Sequence, residues 1–401
     1  MLKQKNNNII WGVELSPFVL KLQACLQYTG RPYRRLPDQG SYLENTRVML
    51  ALEYAKQHKL VTRFPKIDSL LDEYPAVPFF SQDGRHFQYD SSSIAHWMDA
   101  STTQAEEKLF PNQGVLKFVA KLIDEAFDEF GLYLVHHMRW VASAKSNQMG
   151  KLLSKEFSKA LPPGGKWYLS KSFPKRQVRR CPYLFSVAPK GYRSGMSKHL
   201  NPPSCTGFPE THTLINESWQ QYLKGMETVL TNQAYLLGES FTIADASAYG
   251  QLAMNLVDPE AAEKMQQLAP TTFKWLNKIY RQEHLHDKPG NLSRHNKPFY
   301  FNDHLVPLLN TIMSTYSTLM VQNSNAYEQA LLRGETLFNE AAFDEGRALY
   351  NGKLRGYPFR SVVKTFQVRT WRTLCTDWRN LAEEHKAQLR ENIELCDLFE
   401  M

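Results

Sequence analysis

Asn8-Ile9-Ile10-Trp11-Gly12-Val13-Glu14-Leu15-Ser16-Pro17-Phe18-Val19 decides the fold. The run Ile9–Val13 is apolar throughout and too short for a helix, which suits a strand buried on both faces. Ser16 then offers a hydroxyl to cap a helix, and Pro17 fits the first helical position because its missing N–H would be unpaired there in any case. Val19, Leu22, Cys25 and Leu26 recur at helical spacing, and Gly30 can take the left-handed conformation that ends such a helix. Arg31–Leu36 returns as a strand, with Pro32 confining it to a sheet edge. Further on, Ala76–Phe80, the turn Gln82-Asp83-Gly84-Arg85 and His86–Tyr89 read as a hairpin. Asp90-Ser91 caps a helix carrying Ile94, Trp97 and Met98. Residues 1–101 therefore read as βαβ, a polar and weakly helical connector to Asp72, then ββα.

Beyond Pro111-Asn112 and Gly114 the pattern changes to helix only. Val115, Phe118, Val119, Leu122, Ile123, Ala126, Phe127, Phe130 and Leu134 recur at three and four residues over many turns. Leu214, Trp219, Tyr222, Leu223, Met226, Val229 and Leu230 mark a second helix. A third opens on the capping box Thr242-Ile243-Ala244-Asp245, and a fourth follows Pro270 with Phe273, Trp275, Leu276 and Ile279. Residues 112–288 make an all-α domain interrupted at 157–209. The remainder, 289–401, is expected to be a helical extension packed on that domain, with a hairpin-like link at Tyr350-Asn351-Gly352. Its stripes are Leu305–Tyr316 and Val363–Leu381.

The interruption is basic and rich in Pro and Gly. The chain of 401 residues carries a formal charge of +8, yet ten lysines and arginines fall between Phe157 and Pro209 with no acid among them. Without that segment the chain is slightly acidic, so the basicity is local. Leu161-Pro162-Pro163-Gly164-Gly165 and Asn201-Pro202-Pro203-Ser204 predict an irregular excursion rather than a helix. It reads either as a solvated insertion or as a contact for an anionic ligand or partner. No zinc-finger, RNA-recognition or helix-turn-helix pattern accompanies it, and no nucleic-acid partner is expected. Mean hydropathy is −0.47, and no apolar run approaches the roughly 18 residues a spanning helix needs. No signal-peptide pattern opens the chain, so a cytoplasmic protein without a membrane partner is expected. The five cysteines, Cys25, Cys181, Cys205, Cys375 and Cys396, have neither disulfide-framework nor zinc-site spacing and read as reduced thiols. Adjacent His136 and His137 cannot share a helix face, so no metal site is expected.

The candidate chemistry lies at Ser16, Val77-Pro78 and Asp90-Ser91. A βαβ-ββα unit brings two helix N-termini and the start of the hairpin to one sheet end, where unpaired amides and positive dipole ends suit an anion. With a cis Val77-Pro78 bond, the Val77 backbone can pair with an extended peptide lying alongside. Asp90 and Ser91 can hold that peptide's ammonium and carboxylate. Ser16 either only caps its helix or donates to a thiolate and lowers its pKa.

The pattern resembles the glutathione transferase superfamily, in a longer bacterial form with a C-terminal extension. The matching residues are Ser16-Pro17-Phe18-Val19 with Lys21, Tyr74-Pro75-Ala76-Val77-Pro78, Tyr89-Asp90-Ser91-Ser92-Ser93-Ile94, and Gly238-Glu239-Ser240-Phe241-Thr242-Ile243-Ala244-Asp245. His137-Met138-Arg139-Trp140 and Tyr249-Gly250-Gln251-Leu252 with Asp258-Pro259 match as well. The resemblance spans roughly 8–285. It implies an α+β fold, a thioredoxin-like domain followed by the all-α transferase domain. It also implies glutathione as co-substrate at Val77, Pro78, Asp90 and Ser91, Ser16 as the catalytic hydroxyl, a small electrophile as second substrate, no metal, and a homodimer. The alternative is a non-catalytic module of the same fold that meets a partner through its basic insertion and extension. Disulfide or dehydroascorbate-type redox work would need a thiol where Ser16 stands.

Overall fold

The computed structural model describes residues 8–64, 71, 77–102, 108–112, 114–287 and 302–400. Tyr74, Pro75 and Ala76 lie outside the described residues.

The N-terminal elements are β1 (Ile9–Trp11), α1 (Pro17–Tyr28), β2 (Arg34–Leu36), α2 (Tyr42–Gln57), β3 (Phe79–Ser81), β4 (Gln88–Tyr89) and α3 (Ser91–Ala100). The sheet order is β2-β1-β3-β4, with β1 parallel to β2 and antiparallel to β3, and β3 antiparallel to β4. Successive strand residues face opposite ways, and both faces are covered. Ile10 and Phe80 join the core built on α1 and α3, whereas Ile9, Trp11 and Phe79 pack with Val48, Leu52 and Ala55 of α2. Gly30 sits at φ +65° just past α1. The first part of the connector is more regular than its weak periodicity suggests: α2 is 16 residues long, and Ser41 caps it by accepting from the Glu44 amide.

The helical part begins with α4 (Gly114–Ala126), which continues through a π-helical turn (Phe127–Gly131) into α5 (Leu132–His137) and a second π-helical turn (Met138–Ala142). Then come α6 (Met149–Glu156), α7 (Gly165–Arg179), α8 (His212–Asn232), α9 (Ile243–Leu252), α10 (Pro259–Leu268) and α11 (Pro270–Tyr280). The capping box forms, with Asp245 accepting from the Thr242 amide at 2.9 Å. α9 lies against α1 so closely that a Cβ at Gly250 would stand 2.6 Å from the Pro17 carbonyl oxygen.

The basic segment corrects the expectation of an irregular excursion. It contains α7, a 15-residue helix, although Pro174 lies inside it and it carries no acid. Tertiary packing outweighs propensity here: Phe173 stacks edge-on against Trp140 with ring centroids 5.7 Å apart, and buried Val178 packs with Met149 and Cys181.

The extension holds α12 (Val306–Ile312), α13 (Thr318–Leu332), α14 (Glu340–Asp344), a hairpin of β5 (Leu349–Leu354) and β6 (Tyr357–Val362), then α15 (Thr365–Arg379) and α16 (Glu383–Asn392). It is therefore not purely helical. Its turn is Arg355-Gly356, both at positive φ, and not Asn351-Gly352, which lies within β5. α12 crosses α8 at Gly225, where a Cβ would meet the Leu308 Cα at 2.8 Å. Trp371 and Trp378 of α15 are buried against Phe399, and Trp378 also packs on Phe118 of α4. No described helix is long and apolar enough to cross a membrane.

Candidate functional site

Register brings the candidate residues together. Trp11 pairs with Phe79, and Phe79 with Tyr89, so the ends of β1 and β4 and the start of β3 lie side by side. The residues just beyond them are Gly12–Ser16, Val77-Pro78 and Asp90-Ser91. The Val77-Pro78 bond is cis, and a Cβ built on Gly12 would lie 3.5 Å from that of Val77. Gly12 therefore lets the loop before Ser16 close against the proline bend.

Ser16 occupies the N-cap of α1 in extended conformation, but its side chain makes no capping bond. Among the described residues its hydroxyl has no hydrogen-bond partner. Ser91, at the first position of α3, is buried and its hydroxyl is likewise without a partner among the described residues. Both hydroxyls sit at positive helix ends, which suit donation to an anion. Val77's amide and carbonyl make no hydrogen bond among the described residues.

Asp90 is differently placed. At φ +70° it caps α3, Oδ1 accepting from the Ser93 amide at 3.1 Å. Its Oδ2 accepts from Arg63 Nε at 2.7 Å and from an Arg369 guanidinium nitrogen at 3.3 Å. Burial would raise its pKa, but the two guanidiniums and the Ser93 amide outweigh that and hold it down to about 2. Arg369 belongs to α15, so the extension reaches the thioredoxin-like domain's site. Nothing local in the sequence marks Arg63 or Arg369 for this position.

Beneath the site lies a buried ionic network. Lys21 of α1 is fully buried and donates to Asp124 at 2.5 Å, to Asp128 at 2.6 Å and to Ser92 at 2.6 Å. Ser247 of α9 also donates to Asp124. Burial would lower the Lys21 pKa, but Asp124 and Asp128 more than reverse this and keep the ammonium charged. Burial pushes Asp128 up to about 7 against the pull of Lys21. Glu129, one residue on, is pushed up to about 8 by burial and by Asp128, and accepts from Gln367 of α15 at 3.2 Å. Glu125 is raised well above the usual carboxylate range by burial and by four acidic neighbours, Asp124, Glu129, Asp128 and Asp90.

A second support fixes the loop ahead of Ser16. Arg139 is buried, paired with Asp258 at 2.9 Å, and donates to the Leu15 carbonyl at 3.2 Å. Glu156 of α6 accepts from the Glu14 amide at 2.9 Å and pairs with Arg35, while Phe157 and Val77 both pack on the core beneath the sheet's α2 face. Glu156, just ahead of the insertion, thus braces the loop before Ser16, and the extension supplies an arginine. A separate open groove of about 620 Å³ lies beyond α1, lined by Glu14, Gln27, Tyr33, Arg35, Tyr249 and Tyr280 among others; Ser16, Val77, Pro78, Asp90 and Ser91 do not line it.

Residues 208–287 match the family model described as the glutathione S-transferase C-terminal domain. Similar solved structures include the beta-etherase LigF of Sphingobium sp. strain SYK-6, 13% identical over 71% of this chain and 100% of that one, with a TM-score of 0.42. A glutathione S-transferase of Rhodospirillum rubrum F11 is 11% identical over 74% of this chain and 98% of that one, with a TM-score of 0.38. A glutathione S-transferase of Pseudomonas fluorescens is 15% identical over 74% and 100%, with a TM-score of 0.35. No curated protein matches the chain by sequence.

Proposed function

We propose that this chain, which belongs to the glutathione S-transferase superfamily through its C-terminal domain, binds glutathione along the Val77-Pro78 bend and transfers its thiolate to a small electrophile. The observation that carries this reading is the Ser16 hydroxyl, held at a helix N-terminus by the Arg139–Leu15 contact and without a partner among the described residues. A thiol of ordinary pKa near 8.5 is mostly protonated at neutral pH, and a donated hydrogen bond at a positive helix end favours its thiolate. Glutathione's extended backbone pairs with Val77. Its γ-glutamyl carboxylate meets Ser91 and the amides of α3. Asp90 acts through the arginines it orients as well as on the γ-glutamyl ammonium. The same reading includes a cytoplasmic homodimer, checked by light scattering and cell fractionation.

Calorimetric titration with glutathione, beside a conjugation assay with a chromogenic aryl halide, tests this. Ser16→Ala should lower turnover about 100-fold, the usual cost of losing one donor to a developing anion, while glutathione affinity changes little. Unchanged turnover removes Ser16 from the mechanism, and no heat of binding for the unaltered protein removes glutathione. One observation favours the alternative of a non-catalytic binding module: Asp90's carboxylate is already occupied by Arg63 and Arg369. On that reading the protein ignores glutathione altogether.

A further inference from the structure

The basic insertion presents an outward face that nothing in the site uses. On α7, at about 100° per residue, Tyr168, Lys171, Lys175 and Arg179 fall within roughly 80° of arc, with Trp167 one turn before Lys171. Trp167 and Tyr168 stand out from the surface, 70% and 68% exposed. Lys166 and Arg176 flank the face, and the packed neighbour α6 adds exposed Lys151 and Lys155 with Leu152 between them. Among the described residues, Lys151, Lys155, Lys166, Lys171, Lys175 and Arg176 have no acidic partner. Arg179 and Arg180 share Glu340, and Glu156, the acid of α6, is turned inward onto Arg35.

We propose that the α6–α7 hairpin docks the protein on an anionic phospholipid surface. Clustered lysines and arginines beside a helix attract anionic headgroups, and Trp and Tyr settle at the boundary between headgroup and acyl chain. Projecting aromatic rings fit that boundary, whereas a single-stranded nucleic acid needs them set in a basic groove. Aliphatic side chains extend the apolar contribution nearby. The first turn of α2 carries Leu43, 81% exposed, and is tied to the short 3-10 turn after α6 (Phe157–Lys159) by Asn45 donating to the Lys159 carbonyl at 3.0 Å. Docking on a surface needs no spanning helix, and it departs from the sequence expectation of no membrane partner. Neutralising cations lowers the electrostatic attraction, and removing rings lowers the part that salt does not screen.

Co-sedimentation of the full chain with phosphatidylserine-containing vesicles and with pure phosphatidylcholine vesicles tests this. Binding should need the anionic lipid and weaken with salt. Lys171→Ala and Lys175→Ala should each weaken partitioning about five-fold, corresponding to about 1 kcal/mol per basic residue. Trp167→Ser with Tyr168→Ser should remove the binding that persists at raised salt while leaving the circular dichroism unchanged. No binding to phosphatidylserine vesicles at low salt overturns the proposal. So does binding that these variants leave intact, and so does tighter binding to a single-stranded oligonucleotide than to vesicles, which would assign the face to nucleic acid. No arm reads glutathione, so failure here leaves the proposed transferase activity untouched.

Discussion

Lys21→Met is the most informative single change, because it removes one cation from between two buried carboxylates. Lys21 Nζ lies 2.5 Å from Asp124 and 2.6 Å from Asp128, and all three residues are buried. Breaking a buried pair by deleting one partner typically costs about 3–5 kcal/mol, since the remaining charge is left uncompensated. Asp128 Oδ1 already has no partner, so the pocket holds no spare donor to compensate. The loss must also depend on pH. Without the ammonium, the pKa of Asp128, already raised to about 7 by burial, rises further above its unfolded value. The folded state then holds protons that the unfolded state releases, and the penalty grows as pH rises above about 4. Urea unfolding followed by circular dichroism and tryptophan emission, at mildly acidic and mildly alkaline pH, reads this directly. Lys21→Met with Asp124→Asn and Asp128→Asn should recover most of the loss, because the amides can bond to one another. A Lys21→Met penalty below about 1 kcal/mol, the size of an exposed pair, or one equal at both pH values, would refute the reasoning.

Gly250→Ala should destabilise by about 1–3 kcal/mol through overpacking, since its Cβ would meet Pro17 O at 2.6 Å and Lys21 Cβ at 2.8 Å; a melt that matches the unaltered protein would show that α1 and α9 can separate cheaply. Glu129→Gln should stabilise at pH 8 and have little effect below about pH 5, because a carboxyl raised to about 8 in the fold progressively loses stability as pH climbs through that window; stability against pH measures it. Asp90→Asn should remove stability that the unaltered protein has above about pH 4 and loses on acidification toward 2, so the two acid-unfolding curves should converge at the low end. Arg369→Ala should weaken glutathione binding in calorimetry if Asp90 must be held for the ligand, with exposed Arg372→Ala on the same helix as the control.

Much of the architecture is legible because it rests on local signals that agree with one another. Ser16-Pro17 suits a helix start, the run at Ile9 is too short to be a helix, and Thr242 with Asp245 closes a box visible in four residues. The features that read poorly owe their form to contacts distant in sequence. α7 has proline inside it and no acid, and it is a helix because Phe173 and Val178 find Trp140 and Met149. Arg355 adopts a positive φ that its side chain does not favour, because β5 and β6 pair through Leu354 and Tyr357 on either side.

The same division runs through the site. Ser16, Val77, Pro78, Asp90 and Ser91 are readable because each begins or ends an element, and the sheet register sets those ends next to one another. What surrounds them is not readable. Arg63 lies in the connector, Arg139 sits mid-helix, and Arg369 is 279 residues from the carboxylate it pairs with. A charged residue on a helix is by default a solvated one, and only the packing of α15 onto α4 turns Arg369 inward. That packing has a consequence for any account of the extension. Asp90 cannot keep a carboxylate buried at a pKa of about 2 on the strength of Arg63 and one amide with the same margin it has with Arg369 added. Removing the last hundred residues would therefore do more than uncover an apolar helix face. It would raise the Asp90 pKa and loosen the N-terminus of α3, so the extension acts on the candidate site itself and not merely on the stability of the domain it covers.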